Sequence, residues 1–474
     1  MPSSSELQLG KYQGFTKVAR SFGHLLSLET SRRSEQTRLV RDRSPTAASR
    51  PIYRTALGSH LPQYRSDQTR EKFMHALSIA EAQEIDTSVV PDIHAYLAGL
   101  RTNGPIARSK MGFIVALRHQ HLDLITRDIT RQIETEGKLI QGIISGPIFD
   151  FIKSSMLFSN GDVHLRRRAP VSRTFAFKLM DAMRPKAAAL AAELVEARIG
   201  LGPIDFVNEI AAQVPARIIA DILGIPRGDL PVFMQWIADT AEALGFINLD
   251  RRDEIEKSLV AFNDYVAALL ADRRASPRED FLSQYVEATV QDGELSKDET
   301  RTQIVGLILA GSDTTRGSLC MTLAHLLQHV DQWRAFCADP DGLKRAAVDE
   351  GLRFDPVIMG IPRIVVRDFD LDGYRIPAGT LLTISVPSAL RDPSVYTDPD
   401  HFDIFRKDHP RWHPIFGAGA HRCVGEALAR VEMEEILATI ARLAPGTRLV
   451  GAFPRLAPGP IRQVDRMEVE FLGG

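Results

Sequence analysis

The stretch Phe416–Gly425 reads FGAGAHRCVG and holds Cys423, one of only three cysteines in this 474-residue chain. Cys423 follows Gly417 and Gly419, which permit a tight backbone approach, and precedes the helical pattern EALARVEMEEILATIARL. A sulfur at such a loop-to-helix junction meets backbone N–H groups and the favourable end of a helix dipole. That arrangement can hold one anionic sulfur as a metal ligand with no second cysteine beside it. Zinc and iron–sulfur sites need several Cys or His ligands at short spacings, and none of those spacings occurs here. Single-cysteine ligation therefore points to haem.

The segment resembles the haem-binding signature of the cytochrome P450 family, Phe-x-x-Gly-x-x-x-Cys-x-Gly, with Phe416, Gly419, Cys423 and Gly425 in register. Ordinary residue frequencies give roughly one accidental match in a thousand chains of this length. The resemblance implies haem b (iron protoporphyrin IX), with Cys423 as the iron ligand and Phe416 in the haem site. It implies a haem-thiolate monooxygenase inserting one atom of dioxygen into a small, mainly apolar organic substrate.

Composition bounds the remaining classes. The length allows a large core, and by itself suggests two or three domains. A net charge of −2 argues against bulk attraction to nucleic acid or an anionic membrane. Cys320, Cys337 and Cys423 are too few and too scattered for a disulfide framework, which fits a reducing compartment. The longest apolar run, Ile304–Gly311, falls far short of the about 18–20 residues of a membrane span. No signal peptide with an apolar core is visible. These features predict a soluble, cytoplasmic monomer. The lack of a membrane anchor resembles the soluble bacterial type of the family, which implies electrons from NAD(P)H through a ferredoxin reductase and a small iron–sulfur ferredoxin. Nothing in the chain resembles a fused flavin or ferredoxin module.

Residues 1–87 form an Arg/Ser-rich, acid-poor extension whose composition predicts disorder. It reads either as a targeting arm or as a dispensable upstream segment with Met74 as a second candidate start. The second reading is preferred because the remainder looks complete without it. Residues 88–474 form the predicted monooxygenase domain, mainly α with a minor β-rich part. Helical spacing with a glycine stop marks PDIHAYLAGLRTNG, MGFIVALRH reads as a short strand, and long helical patterns run to about residue 350. Alternation with two Gly-containing turns follows in IPRIVVRDFDLDGYRIPAGTLLTIS. Within it, DFDLDGYRIPAG opens like a calcium loop, but Gly379 replaces the closing glutamate and strand patterns flank it. A hairpin with an Asp-Gly turn explains it better.

Ser296–Glu299 is a capping-box pattern opening a helix to about Val330, roughly 50 Å long at about 1.5 Å per residue. Its middle reads AGSDTT. Ala310 and Gly311 offer so little side chain that a flat ligand can press on the helix there. Thr314 can bond back to a helical carbonyl. Asp313 is a carboxylate beside an apolar stretch, a costly position unless it is paired or used. The pair resembles the acid–Thr pair on the central helix of cytochromes P450, which implies proton delivery to dioxygen at the haem through Asp313 and Thr314.

Glu350 and Arg353 lie three apart on a helical pattern and can pair. With Arg406 they resemble the family's Glu-x-x-Arg scaffold, which makes them structural residues. Haem carries two propionates, and His164, Arg168, Arg363 and His421 match the family's propionate-binding positions. Arg166, Arg167 and Arg422 are expected as exposed positives suited to an acidic electron-transfer partner. The pocket stretches GIISGPIFDFI, LGFINL and VIMGI carry no arginine or lysine, which predicts a lipophilic substrate. A peroxide-driven or nitric-oxide-reducing relative, or a non-enzymatic haem sensor, are the alternatives. Retention of both Asp313 and Thr314 argues against them.

Overall fold

Ser296 starts the longest helix through reciprocal bonds. Its hydroxyl accepts from the Glu299 N–H and the Glu299 carboxylate accepts from the Ser296 N–H, each at 3.1 Å. The helix then runs without a break over Lys297–Gln328 in the computed structural model. That model describes residues 77–473 apart from 88, 89, 91, 176–179, 293, 294 and 458, so most of the Arg/Ser-rich extension lies outside the described residues.

This central helix is buried on nearly all sides, as befits a helix through the core of a large domain. Helices Arg252–Ala275, Pro340–Phe354 and Glu426–Leu443 pack around it. Leu319, Leu323, Val348 and Ile436 join one large apolar cluster between them. The burial breaks only at Ala310–Gly311, where two adjacent residues in mid-helix are exposed.

The β-rich part is a six-stranded mixed sheet of segments 83–85, 106–109, 114–116, 381–385, 360–365 and 130–132, in that order. Arg363 sits across from Leu382 on one side and Gln132 on the other. The Asp-rich stretch is the expected hairpin. Phe369–Leu371 pairs antiparallel with Tyr374–Ile376. Asp372 and Gly373 both have positive φ, 50° and 90°, as a two-residue hairpin turn requires. The chain is thus mainly helical with a smaller β part.

Sheet pairing begins earlier than the change in sequence texture. Leu77–Ser78 pairs parallel with Tyr374–Arg375, and Gln83–Ile85 pairs parallel with Ala107–Ser109. Residues 77–78 and 83–85 therefore belong to the sheets, although they fall inside the predicted extension of 1–87. Their apolar content is too small to show as periodicity, because backbone hydrogen bonds to strands far along the chain carry the pairing. A chain starting at Met74 should load haem and melt like the full chain. One starting at Asp86 should lose a sheet edge and melt several degrees lower, at about 2–4 °C per kcal/mol for large domains. Thermal unfolding followed at the haem absorbance checks both, and loss of haem from the Met74 start would show that residues 1–73 pack on the fold.

Candidate functional site

The cysteine loop is set by its glycines. Gly417 and Gly419 have φ of +68° and +62°, a region that side-chain-bearing residues rarely adopt. A Cβ on Gly419 would also stand 3.0 Å from Thr126 Cγ2. The turn brings the Cys423 N–H to the Phe416 carbonyl at 2.8 Å and delivers the sulfur at the start of helix Glu426–Leu443. Cys423 is accessible, but to an internal cavity rather than to bulk solvent. Burial there pushes its thiol up, against a partly offsetting hydrogen bond from the Gly425 backbone. The Gly425 N–H thus offsets the burial only in part. A bound metal cation would have to displace the proton.

The same cavity takes in Ala310, Gly311 and Thr314 of the central helix together with Phe416, His421, Arg168 and Arg363. A Cβ added to Gly311 would meet nothing within 4 Å, so a flat surface faces the cavity at this point. The Thr314 hydroxyl donates to the Ala310 carbonyl at 2.9 Å, which leaves its oxygen free to accept from the cavity side.

Basic groups converge on one part of this wall. Arg363 is 2% exposed; it donates to Gln132 Oε1 and to the Ile125 carbonyl (3.3 Å), and its Nε finds no partner. Burial pushes it down to about 10 with no acidic neighbour to offset it. Arg168 donates to the Arg422 carbonyl at 2.5 Å and is likewise lowered by burial. His421 is pushed down to about 3, first by burial and then by His164, Arg363 and Arg168 around it. His164 stacks on His421 at 3.8 Å between ring centres, and its nitrogens face the carbonyls of Met156 (2.8 Å) and Ala420 (3.0 Å). One buried and one half-buried guanidinium, neither with a carboxylate partner among the described residues, are expensive as they stand. Anionic groups docking there would balance them, so the donor set fits a haem carrying two propionates.

Asp313 is paired, as a carboxylate beside an apolar stretch must be if it is not used. It is absent from the cavity wall, although Ser312 and Thr314 on either side line it. Its carboxylate instead pairs with Arg316 at 3.0 Å and accepts from Gln463 Nε2 at 2.7 Å.

The expected basic patch is also corrected. Glu299 takes both Arg166 (2.7 and 2.9 Å) and Arg167 (2.9 Å), and Arg166 above all holds that carboxyl down to about 2. Arg422 donates to the Gly417 carbonyl and to Glu426, with its guanidinium over the Trp412 ring. Glu299 lies over 130 residues from its partners, which is why spacing could not reveal the neutralisation. The scaffold trio does assemble. Glu350 and Arg353 are wholly buried and doubly bonded at 2.7 and 2.8 Å, with Arg406 3.4 Å from Glu350.

Of the three predicted pocket stretches, VIMGI lines the cavity through Val357, Ile358 and Ile361, whereas residues 142–152 and 244–249 do not. Ile125, Met156, Leu157 and Leu307 take their place. Sequence reasoning also missed Gln132, which orients Arg363, and Glu432. The latter lines the cavity 2% exposed, has an unpartnered Oε1, and is pushed up to about 8 by burial. A polar residue on the buried face of helix Glu426–Leu443 was the available signal for Glu432.

A sequence profile described as Cytochrome P450 matches residues 88–334 and 343–442. A protein named cytochrome P450-pinF1, plant-inducible, from Rhizobium radiobacter is 40% identical over 404 residues, covering 83% of this chain and 95% of its own. The luteothin monooxygenase of Streptomyces thioluteus is 32% identical over 355 residues, covering 74% and 86%. Among solved structures, the crystal structure of CalO2 superposes with a TM-score of 0.76 at 26% identity, covering 83% of this chain and 100% of that one.

Proposed function

The chain belongs to the cytochrome P450 family of monooxygenases, and from that premise we propose a finer reading. It hydroxylates a small, neutral, lipophilic substrate with haem b as its cofactor, taking electrons from NAD(P)H through a ferredoxin. The observation that supports this most is that one cavity takes in Cys423, Arg168, Arg363 and the stretch Ala310–Gly311 with Thr314 together. The relative named as a luteothin monooxygenase supports an organic small-molecule substrate. No helix among the described residues is long and apolar enough to cross a membrane, which is compatible with a diffusible electron donor.

In this reading Cys423 Sγ would ligate the haem iron and Arg168 and Arg363 would bind the propionates, with His421 beside them. Ala310 and Gly311 leave room for the flat ring. The bound haem supplies reductive activation of dioxygen. The balance is R–H + O₂ + NAD(P)H + H⁺ giving R–OH + H₂O + NAD(P)⁺, so protons must reach the cavity as well as electrons. Thr314 Oγ1 accepts and passes protons at the cavity wall, and Asp313 beside it exchanges them with solvent. Ile125, Leu157, Val357 and Ile358 exclude water from the substrate and favour an apolar, uncharged one.

Thr314→Ala should leave the ferrous carbon monoxide spectrum intact while most reduced oxygen leaves as hydrogen peroxide. Asp313→Asn should slow turnover about a hundredfold, the usual worth of a positioned acid–base group. NAD(P)H consumed, peroxide released and product formed, on a substrate found by optical spin-shift screening, measure both. Unchanged coupling in Thr314→Ala with an unchanged rate in Asp313→Asn would reduce both to ordinary helix positions.

A further inference from the structure

Both oxygens of the Asp313 carboxylate are occupied, and by groups that form a closed ring. Arg316 Nη2 is 3.0 Å from Oδ1, Gln463 Nε2 donates to Oδ2 at 2.7 Å, and Arg316 Nη2 also donates to Gln463 Oε1 at 2.5 Å. Asp313 is 7% exposed within this ring and does not line the cavity. Arg316 belongs to the same helix, one turn on, so it fixes the carboxylate only relative to its own helix. Gln463 is different: it comes from the far end of the chain, 150 residues away.

The segment carrying Gln463 is fastened to the pocket wall. The Pro460 carbonyl accepts from the Met359 N–H at 3.0 Å, Ile461 forms a β-bridge with Ile358, and the Arg462 N–H donates to the Val357 carbonyl at 2.7 Å. The Arg462 side chain holds Asp355 at 2.6 Å and the Pro356 carbonyl at 2.5 Å. Gly317, one turn beyond Asp313, lets the central helix approach both segments. A Cβ there would lie 3.0 Å from Val357 Cγ1 and 3.5 Å from the Arg462 carbonyl. Val357 and Ile358 themselves line the cavity. A ligand pressing on that wall therefore pushes on the strap that presents Gln463.

We propose that Gln463 is a positioning residue that, with Arg316, latches Asp313 away from the cavity, and that occupancy against Val357 and Ile358 releases the latch. The inference rests on the reading of Asp313 and Thr314 as the proton path and assigns its control. With the pocket empty, the amide holds the carboxylate in the ring and proton delivery to Thr314 is withheld. When the strap shifts, Oδ2 loses its donor and the side chain can turn toward Thr314.

The test uses the haem-loaded full chain with a surrogate bacterial ferredoxin and its reductase in excess, and no added substrate. Without substrate, NAD(P)H and dioxygen are consumed to give hydrogen peroxide, NAD(P)H + H⁺ + O₂ giving NAD(P)⁺ + H₂O₂, or water, 2 NAD(P)H + 2 H⁺ + O₂ giving 2 NAD(P)⁺ + 2 H₂O, so total NAD(P)H consumption is the readout. Gln463→Leu should raise that consumption at least about tenfold, the population change that losing one charge-assisted hydrogen bond permits. The double variant Gln463→Leu with Asp313→Asn should fall back to the parent level. A crystal structure of Gln463→Leu should show the Asp313 side chain turned toward the cavity, a readout independent of turnover. If Gln463→Leu matches the parent and Asp313 keeps its place, while Asp313→Asn still slows substrate hydroxylation, the latch is overturned and the proton path stands. If Asp313→Asn leaves hydroxylation unchanged as well, the proton path fails and the latch falls with it.

Discussion

Cys423→Ala is expected to abolish the red-shifted Soret band that the ferrous carbon monoxide complex shows with a thiolate ligand, whereas Cys320→Ala and Cys337→Ala retain it. Three surroundings separate these sulfurs. Cys320 is fully buried in the central helix, where burial pushes its thiol up to about 12. Cys337 is half-buried, with its thiol pushed up to about 11 by the same cause. Only Cys423 meets the cavity, with a backbone N–H aimed at its sulfur and Arg168 and Arg422 opposing its protonation. Because burial still raises the Cys423 thiol, loading haem into the metal-free protein should release a proton. Titration in weakly buffered solution reads that release directly, and it should vanish in Cys423→Ala. A retained red-shifted band in Cys423→Ala would overturn the ligand assignment.

Arg353→Leu is expected to be the most destabilising single change in the scaffold, by about 3–5 kcal/mol, the cost of stranding one partner of a buried ion pair. The loss is not confined to Glu350. Arg353 also donates to the carbonyls of Leu390 (3.1 Å), Pro399 (2.7 Å) and His401 (3.1 Å), pinning the chain that leads toward the cysteine loop. Glu350 in turn accepts from the Asp403 N–H at 2.7 Å. Set against a net stability of about 5–15 kcal/mol, the change should leave much of the protein unable to hold haem at 37 °C. Arg353→Lys should fare little better, because a single ammonium cannot serve a two-pronged carboxylate and three carbonyls at once. Denaturant unfolding midpoints, with haem content per chain, measure both variants. An Arg353→Leu protein that folds and loads haem like the parent would show that the network is dispensable.

What could be read in the chain beforehand follows the range of the interaction. The capping box at Ser296–Glu299, the Asp372–Gly373 turn and the Thr314 bond to Ala310 each depend on residues within four positions of one another. Their geometry follows from φ, ψ and helical pitch, so spacing reveals them. Glu350 and Arg353 were legible for the same reason. Their complete burial was not, because it depends on which segments cover that face. The edge strands at 77–78 and 83–85 were missed because two or three residues carry no period, and their partners lie as far as residue 375.

The candidate site divides in the same way. By itself the sequence determined the single-sulfur loop, the flat stretch at Ala310–Gly311 and the types of residue available to bind an anion, since each is a property of contiguous residues. Only the tertiary structure decided which charges remained free. Glu299 neutralised Arg166 and Arg167, while Arg363 was left with Gln132 in place of an acid. Packing also decided that Gln463 would reach Asp313 and that Ile125 and Leu157, rather than residues 142–152, would wall the pocket. The physical reason is that a charged or polar group takes whatever partner desolvation leaves within about 3 Å. For groups more than a hundred residues apart, that partner is fixed by how helices and sheets pack and not by any local pattern along the chain.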